Sequence, residues 1–294
     1  MSPTLHGVFT ALVTPFKGGV DDFVVDYETF RALCKRQLDN GVQGLVPCGT
    51  TGETPTLSHE EWQRVISIAV EEADGHVPVI AGCGTNNTRS TVANVHRAKE
   101  LGADAALVVF PYYNKPNRAG HLAHVKAICG VGLPVVLYHV PGRTGQRLSP
   151  DLLEELCRVP GVIGLKEATG DVTLGLELCN RLSDTDVALL SGDDFTFATL
   201  MTHGFHGVIS VLSNPAPAQT VAWASAAANG ITADLKRYRT SLLPLVDFLF
   251  HQSNPLPCKA LMADMGLLES HARLPLMALE KDSYTLPVDW RERR

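Results

Sequence analysis

The chain has 294 residues, of which 45% are hydrophobic and 19% charged, with a formal net charge of -6 and a pI near 6.0. That balance supports one or two folded domains with a sizeable core and excludes a disordered chain. There is no basic footprint for nucleic acid or an anionic membrane surface, and no apolar run is long enough to span a bilayer.

The first seven residues, Met1-Ser2-Pro3-Thr4-Leu5-His6-Gly7, lack the charged and apolar regions of a signal peptide, so a cytoplasmic location is expected. Seven cysteines without a Cys-x-x-Cys pair fit reduced thiols better than a disulfide frame. Short apolar runs then alternate with amphipathic stretches. The runs are Val8 to Val13, Gly44 to Cys48, Val77 to Gly82, Ala105 to Phe110, Leu133 to Val140, Val162 to Lys166, Val187 to Ser191 and Gly207 to Leu212. Helical patterns lie between them: Asp26 to Asn40, Ser58 to Ala73, Thr88 to Leu101, Gly120 to Cys129, Ser149 to Arg158, Val172 to Leu182 and Phe195 to Thr202. Ser58 with Glu61 three residues on is a capping-box arrangement. Strand-like runs each followed by a helix or loop predict a closed parallel (β/α)8 TIM barrel, with a doubly wound sheet as the alternative. After Pro215 only helical patterns remain: Ala216 to Asn229, Ala233 to Gln252 and Pro257 to Met265. The expected division is residues 1–229 as the barrel and 230–294 as a C-terminal helical region. The proline-containing stretch from Leu274 to Arg294 has no readable pattern.

Reactive residues follow the apolar runs. Gly49-Thr50-Thr51-Gly52-Glu53 follows the second, Tyr112-Tyr113-Asn114 the fourth, His139-Val140-Pro141-Gly142-Arg143 the fifth and Gly192-Asp193-Asp194 the seventh. In a barrel all of these share the C-terminal rim, where barrel enzymes build their sites. Lys166 ends the sixth run, bounded by Pro160-Gly161 and Gly170. A strand buried on both faces would partly desolvate its ammonium and lower its pKa, as a Schiff-base nucleophile requires. Taken alone, a strand end reaching solvent or an acid explains such a lysine as well. Gly49-Thr50-Thr51-Gly52 could offer N–H groups and hydroxyls to a small carboxylate, but it lacks the lysine and spacing of a P-loop. Tyr138, inside its run, needs a partner for its hydroxyl. Cys48 and Cys83 read as small core residues. His121 and His124 suit a solvated helix face better than a zinc site, and Asp193 and Asp194 suit a solvated or capping pair better than a magnesium site. No Gly-x-Gly-x-x-Gly fingerprint supports a dinucleotide.

Together with Pro111-Tyr112-Tyr113-Asn114, Val140-Pro141-Gly142-Arg143-Thr144-Gly145, Gly164-Leu165-Lys166-Glu167-Ala168-Thr169-Gly170, Ser191-Gly192-Asp193-Asp194, Gly207-Val208-Ile209-Ser210-Val211 and Asn254-Pro255-Leu256-Pro257-Cys258-Lys259, these motifs resemble the dihydrodipicolinate synthase/N-acetylneuraminate lyase family along nearly the whole chain. The resemblance implies a metal-free and cofactor-free lyase, usually a homotetramer, in which Lys166 forms a Schiff base with pyruvate. The resulting enamine would attack L-aspartate 4-semialdehyde. It further implies that Tyr138 is the general acid/base, that Thr50 and a neighbouring subunit's Tyr113 complete a proton relay, and that Thr51 holds the pyruvate carboxylate. Arg143 would attract the semialdehyde carboxylate, and Gly192 and Ile209 would border the imine through their backbones. His139 stands where the family usually has asparagine, on the opposite strand face from Tyr138, so consequences for packing are expected. In lysine-inhibited members the inhibitor site uses counterparts of His59, Asn86 and Tyr112. Trp62 and Ser90 stand in place of a second histidine and a glutamate, which implies weak or absent inhibition. A sister enzyme for 2-keto-3-deoxy sugar acids would share Lys166 and Tyr138 but generally lacks the arginine. A non-catalytic binding barrel is a third reading, against which the intact Lys166, Tyr138, Thr50 and Tyr113 count.

Overall fold

The computed structural model describes residues 3–19 and 23–287. Eight strands form one sheet: β1 (Gly7–Ala11), β2 (Gly44–Val46), β3 (Ile80–Gly82), β4 (Ala105–Val109), β5 (Val135–His139), β6 (Val162–Glu167), β7 (Ala188–Ser191) and β8 (Gly207–Ser210). Every pairing around it is parallel, β1 bonds both β2 and β8, and a bridge from Leu45 to Val79 joins the remaining edges. The sheet is thus a closed (β/α)8 barrel, not an open doubly wound one. A hairpin of two-residue strands, Phe16–Lys17 against Val24–Val25, follows β1.

The helices are α1 (Tyr27–Asp39), α2 (His59–Ala73), α3 (Thr88–Glu100), α4 (Arg118–Cys129), α5 (Pro141–Thr144), α6 (Pro150–Cys157), α7 (Val172–Arg181), α8 (Phe197–Met201), α9 (Pro217–Ala228), α10 (Thr232–Phe250) and α11 (Leu256–Asp264). The Ser58–Glu61 capping box opens α2: Ser58 Oγ accepts from the Glu61 N–H and Glu61 Oε2 from the Ser58 N–H.

Alternation along the strands divides the core in two. Phe9, Val46, Ile80, Leu107, Val136, Tyr138, Leu190 and Ile209 pack inside the barrel, while Val8, Leu45, Val108, Leu137, Leu165 and Val208 pack outward against the helices. Phe9 fills the interior so closely beside Gly44 that a Cβ there would lie 2.2 Å from the ring, which requires glycine.

His121 and His124 depart from the expected solvated face, for both are buried. α4 packs against α3 and α6, and among the described residues each imidazole has one polar contact: His121 Nε2 with Gln146 Oε1 at 3.1 Å and His124 Nδ1 with Thr88 Oγ1 at 2.9 Å. A neutral imidazole buries its ring readily, so its polar label misleads a periodicity reading. Burial lowers both pKa values, that of His124 to about 4.

Candidate active site

Lys166 sits at the C-terminal end of β6 with 6% exposure, and its Nζ lies 4.3 Å from the centre of the Tyr138 ring. The β5–β6 register sets Tyr138 beside Lys166 and His139 beside Glu167. Desolvation brings the Lys166 pKa down from the ordinary 10.5 to about 8; Asp194 opposes that fall and Arg143 adds to it. Burial raises the pKa of the Tyr138 phenol, which also hydrogen-bonds the Thr50 side chain.

Thr50, Thr51, Tyr138, Arg143, Lys166 and Gly192 line one cavity of about 420 Å³ at the C-terminal mouth. Thr50 and Thr51 lie in a single 3-10 turn, Thr50–Gly52, ended by Glu53 in the left-handed conformation. Arg143 comes from the one-turn helix α5 and forms no ion pair among the described residues. Gly192 is required sterically: a Cβ would lie 2.7 Å from Lys166 Cε and 2.6 Å from the Ala168 Cβ. Ile209 is buried inside the barrel in the same apolar cluster as Tyr138, below the residues that line the mouth. Tyr113 stands apart, 89% exposed with φ +72°. Four of the five non-glycine residues with positive φ among those described, Cys48, Glu53, Tyr113 and Lys115, belong to rim loops. Strain of this kind is retained where the geometry serves a site.

The acidic pair after β7 divides. Asp193 accepts from the Thr196 N–H and hydroxyl, as a capping residue does. Asp194 is not solvated: it is buried and its Oδ2 accepts from the Val211 and Leu212 N–H groups, each at 2.9 Å. Burial raises its pKa to about 6. On the outer face, His139 Nε2 accepts from the Leu148 N–H at 3.2 Å, so Nδ1 carries the proton and donates to Glu167 Oε1 at 3.2 Å. Glu167 in turn accepts from the Thr169 N–H and hydroxyl.

Residues beyond α9 also reach the mouth: Phe250, Gln252, Ser253 and Asn254 line the cavity. Asn254 bonds Thr51 and Arg143. Its position in the Asn254-to-Lys259 motif was the one available sign of such a role.

The model of the dihydrodipicolinate synthetase family matches residues 4–288. The 4-hydroxy-tetrahydrodipicolinate synthase of Nitratidesulfovibrio vulgaris strain DP4 is 46% identical over 280 residues, covering 94% of this chain and 93% of the relative. The crystal structure of the chloride-inhibited dihydrodipicolinate synthase from Acinetobacter baumannii complexed with pyruvate superposes with a TM-score of 0.91 at 40% identity, covering 95% of each chain. That of dihydrodipicolinate synthase from Thermotoga maritima gives 0.90 at 39% identity, over 94% of each. With the family model matching all but the ends of the sequence, the chain belongs to the dihydrodipicolinate synthetase family.

Proposed function

We propose that the chain is a lyase that condenses pyruvate with L-aspartate 4-semialdehyde to 4-hydroxy-tetrahydrodipicolinate, a reaction of lysine and diaminopimelate biosynthesis. The observation that carries this reading is a lysine with a pKa of about 8, set 4.3 Å over the Tyr138 ring in a cavity that also holds Arg143. The neutral amine of Lys166 attacks C2 of pyruvate, and loss of water from the carbinolamine leaves an iminium. Tyr138 gives and takes the protons of these steps, and its buried phenol remains protonated and able to donate near neutrality. The iminium draws electrons from C3, whose lost proton leaves an enamine. That carbon then bonds to the aldehyde carbon of the semialdehyde. The amino group of the new chain displaces Lys166 at C2, which closes the ring and frees the lysine.

In this reading Thr51 holds the pyruvate carboxylate, Arg143 receives the carboxylate of the semialdehyde, and Gly192 and Ile209 shape the space around the imine. The covalent lysine adduct provides the electron sink, and no resident cofactor or metal is invoked. Tyr113 belongs to the site of a neighbouring copy in a homotetramer and joins Thr50 and Tyr138 there in a proton relay; its 89% exposure within its own chain supports this. The chemistry is assigned to residues 1–229, with 230–294 as a C-terminal region whose described α-helices are α10 and α11 and from which Phe250, Gln252, Ser253 and Asn254 reach the mouth. A cytoplasmic site of action accords with this metabolism, and no described helix is long and apolar enough to cross a membrane.

Borohydride reduction in the presence of pyruvate, followed by peptide mass spectrometry, is expected to label Lys166. A coupled assay is expected to favour L-aspartate 4-semialdehyde over sugar-derived aldehydes. A label on another lysine refutes the mechanism, and preference for a hydroxylated aldehyde supports the sugar-acid reading instead.

A further inference from the structure

Asn254 follows α10 and opens the turn into α11, at the head of a motif to which the proposed chemistry assigns no part. Its side-chain Nδ2 donates to Thr51 Oγ1 at 2.9 Å, and its backbone carbonyl accepts from Arg143 Nη2 at 3.2 Å. It therefore touches both residues assigned to substrate carboxylates, from the wall of the same cavity.

The direction of the first bond matters. A threonine hydroxyl has one hydrogen and two acceptor lone pairs. An amide N–H on one lone pair leaves the hydroxyl hydrogen free to donate to an anion. Asn254 thus commits Thr51 to act as a donor toward a carboxylate. The second bond takes one of the five guanidinium N–H groups of Arg143 and leaves the others for a ligand.

The segment is anchored from below. Lys259 Nζ pairs with Glu53 Oε1, both side chains being buried, and donates to the His271 carbonyl at 2.7 Å. Glu53 Oε2 accepts from the Arg273 N–H at 3.2 Å. Glu53 ends the turn that carries Thr50 and Thr51, so the same turn is gripped at Thr51 and at Glu53. The Asn254 Oδ1 is meanwhile buried with no partner among the described residues. An unsatisfied buried acceptor lowers stability, so fold stability alone gives a poor reason for an asparagine here.

We propose that Asn254 is a positioning residue for the condensation, which locks the Thr51 hydroxyl and the Arg143 guanidinium into one frame and so fixes the separation of the two substrate carboxylates. This rests on the roles proposed above for Thr51 and Arg143.

The test compares Asn254→Ala, Thr51→Val and the double variant in steady state, with Asn254→Asp as a near-isosteric control that keeps the side-chain volume. Asn254→Ala removes the bond to Thr51 but keeps the backbone carbonyl. It is expected to raise the KM for pyruvate about three- to tenfold, the size of one hydrogen bond, with kcat and the semialdehyde KM little changed. In the Thr51→Val background the same substitution should have no further effect on the pyruvate KM. Asn254→Asp puts a negative charge beside both carboxylate sites and is expected to raise both KM values by more than about tenfold. An unchanged pyruvate KM in Asn254→Ala overturns the proposal, as does an equal effect in both backgrounds or an Asn254→Asp variant that keeps both parental KM values. If Thr51→Val alone leaves the pyruvate KM unchanged, the role of Thr51 fails and the coupling fails with it; an additive cycle refutes the coupling alone.

Discussion

The reactivity of Lys166 can be titrated directly. With a pKa of about 8 in place of the ordinary 10.5, about one molecule in ten carries a neutral amine at pH 7, against about one in three thousand otherwise. The gain in nucleophile is roughly 300-fold, and it comes first from desolvation at the end of β6. The initial rate of adduct formation with pyruvate, followed by borohydride quench, should rise tenfold per pH unit below the midpoint and level off near pH 8. Two neighbours should move that midpoint in opposite directions. Arg143→Ala removes a charge that holds the pKa down and should raise the midpoint; Asp194→Asn removes one that holds it up and should lower it. A rate that still climbs at pH 10 refutes a desolvated lysine. Shifts of the same sign in both variants refute the electrostatic account.

Gly192→Ala is expected to lower kcat/KM at least about 100-fold with the fold retained by circular dichroism, because the added methyl displaces the Lys166 side chain. Arg143→Ala should raise the semialdehyde KM about ten- to a hundredfold, the size of a charge-assisted hydrogen bond, while pyruvate still labels Lys166. The pKa of His124 is lower in the fold, at about 4, than its ordinary 6.5, so the unfolded chain takes up a proton first as pH falls and stability is lost from about pH 6.5 down to 4. His124→Gln should therefore show a smaller fall in Tm between pH 7 and 5 than the parent, a difference in which other groups such as Asp194 cancel. L-lysine should bind at least about tenfold more weakly by calorimetry than to lysine-inhibited members of the family, because Ser90 lacks the carboxylate that the resemblance implies at its position, and Trp62, its Nε1 bonded to the Gly82 carbonyl at 2.9 Å, fills the wall of a cavity that His59 and Tyr112 also line.

The barrel was legible because each strand is a short apolar run closed by turn residues, and the rim motifs were legible because they follow those runs. Strand ends were overextended where buried apolar residues continue into the loops, as Leu12 and Val13 do after β1. The hairpin at Phe16–Lys17 and the single turn α5 are too short to carry a period. What periodicity cannot reveal is a partner far along the chain: 206 positions separate Glu53 from Lys259, and 203 separate Thr51 from Asn254. The C-terminal region therefore read as an appendage, although its residues reach the cavity wall.

The inward aim of Lys166 depends on one irregularity that residue patterns do not disclose. Val135 pairs with Val162 but Val136 pairs with Gly164, so Ile163 is an extra residue on β6. A bulge reverses the alternation beyond it. Val162 and Leu165, an odd number of positions apart, accordingly both pack outward against the helices. Without the bulge, with the pairing running on unbroken from Val162, Leu165 would lie beside Tyr138 and Lys166 beside His139, its amine directed into the helix-facing core. With it, Lys166 meets Tyr138 on the inner face while Glu167 meets His139 on the outer one. The buried His139–Glu167 pair then disfavours any slip, because a shift of one residue would break the bond that joins them and leave the His139 Nδ1 proton without its acceptor. His139 thus supports, from outside the barrel, the register on which the inner pair depends.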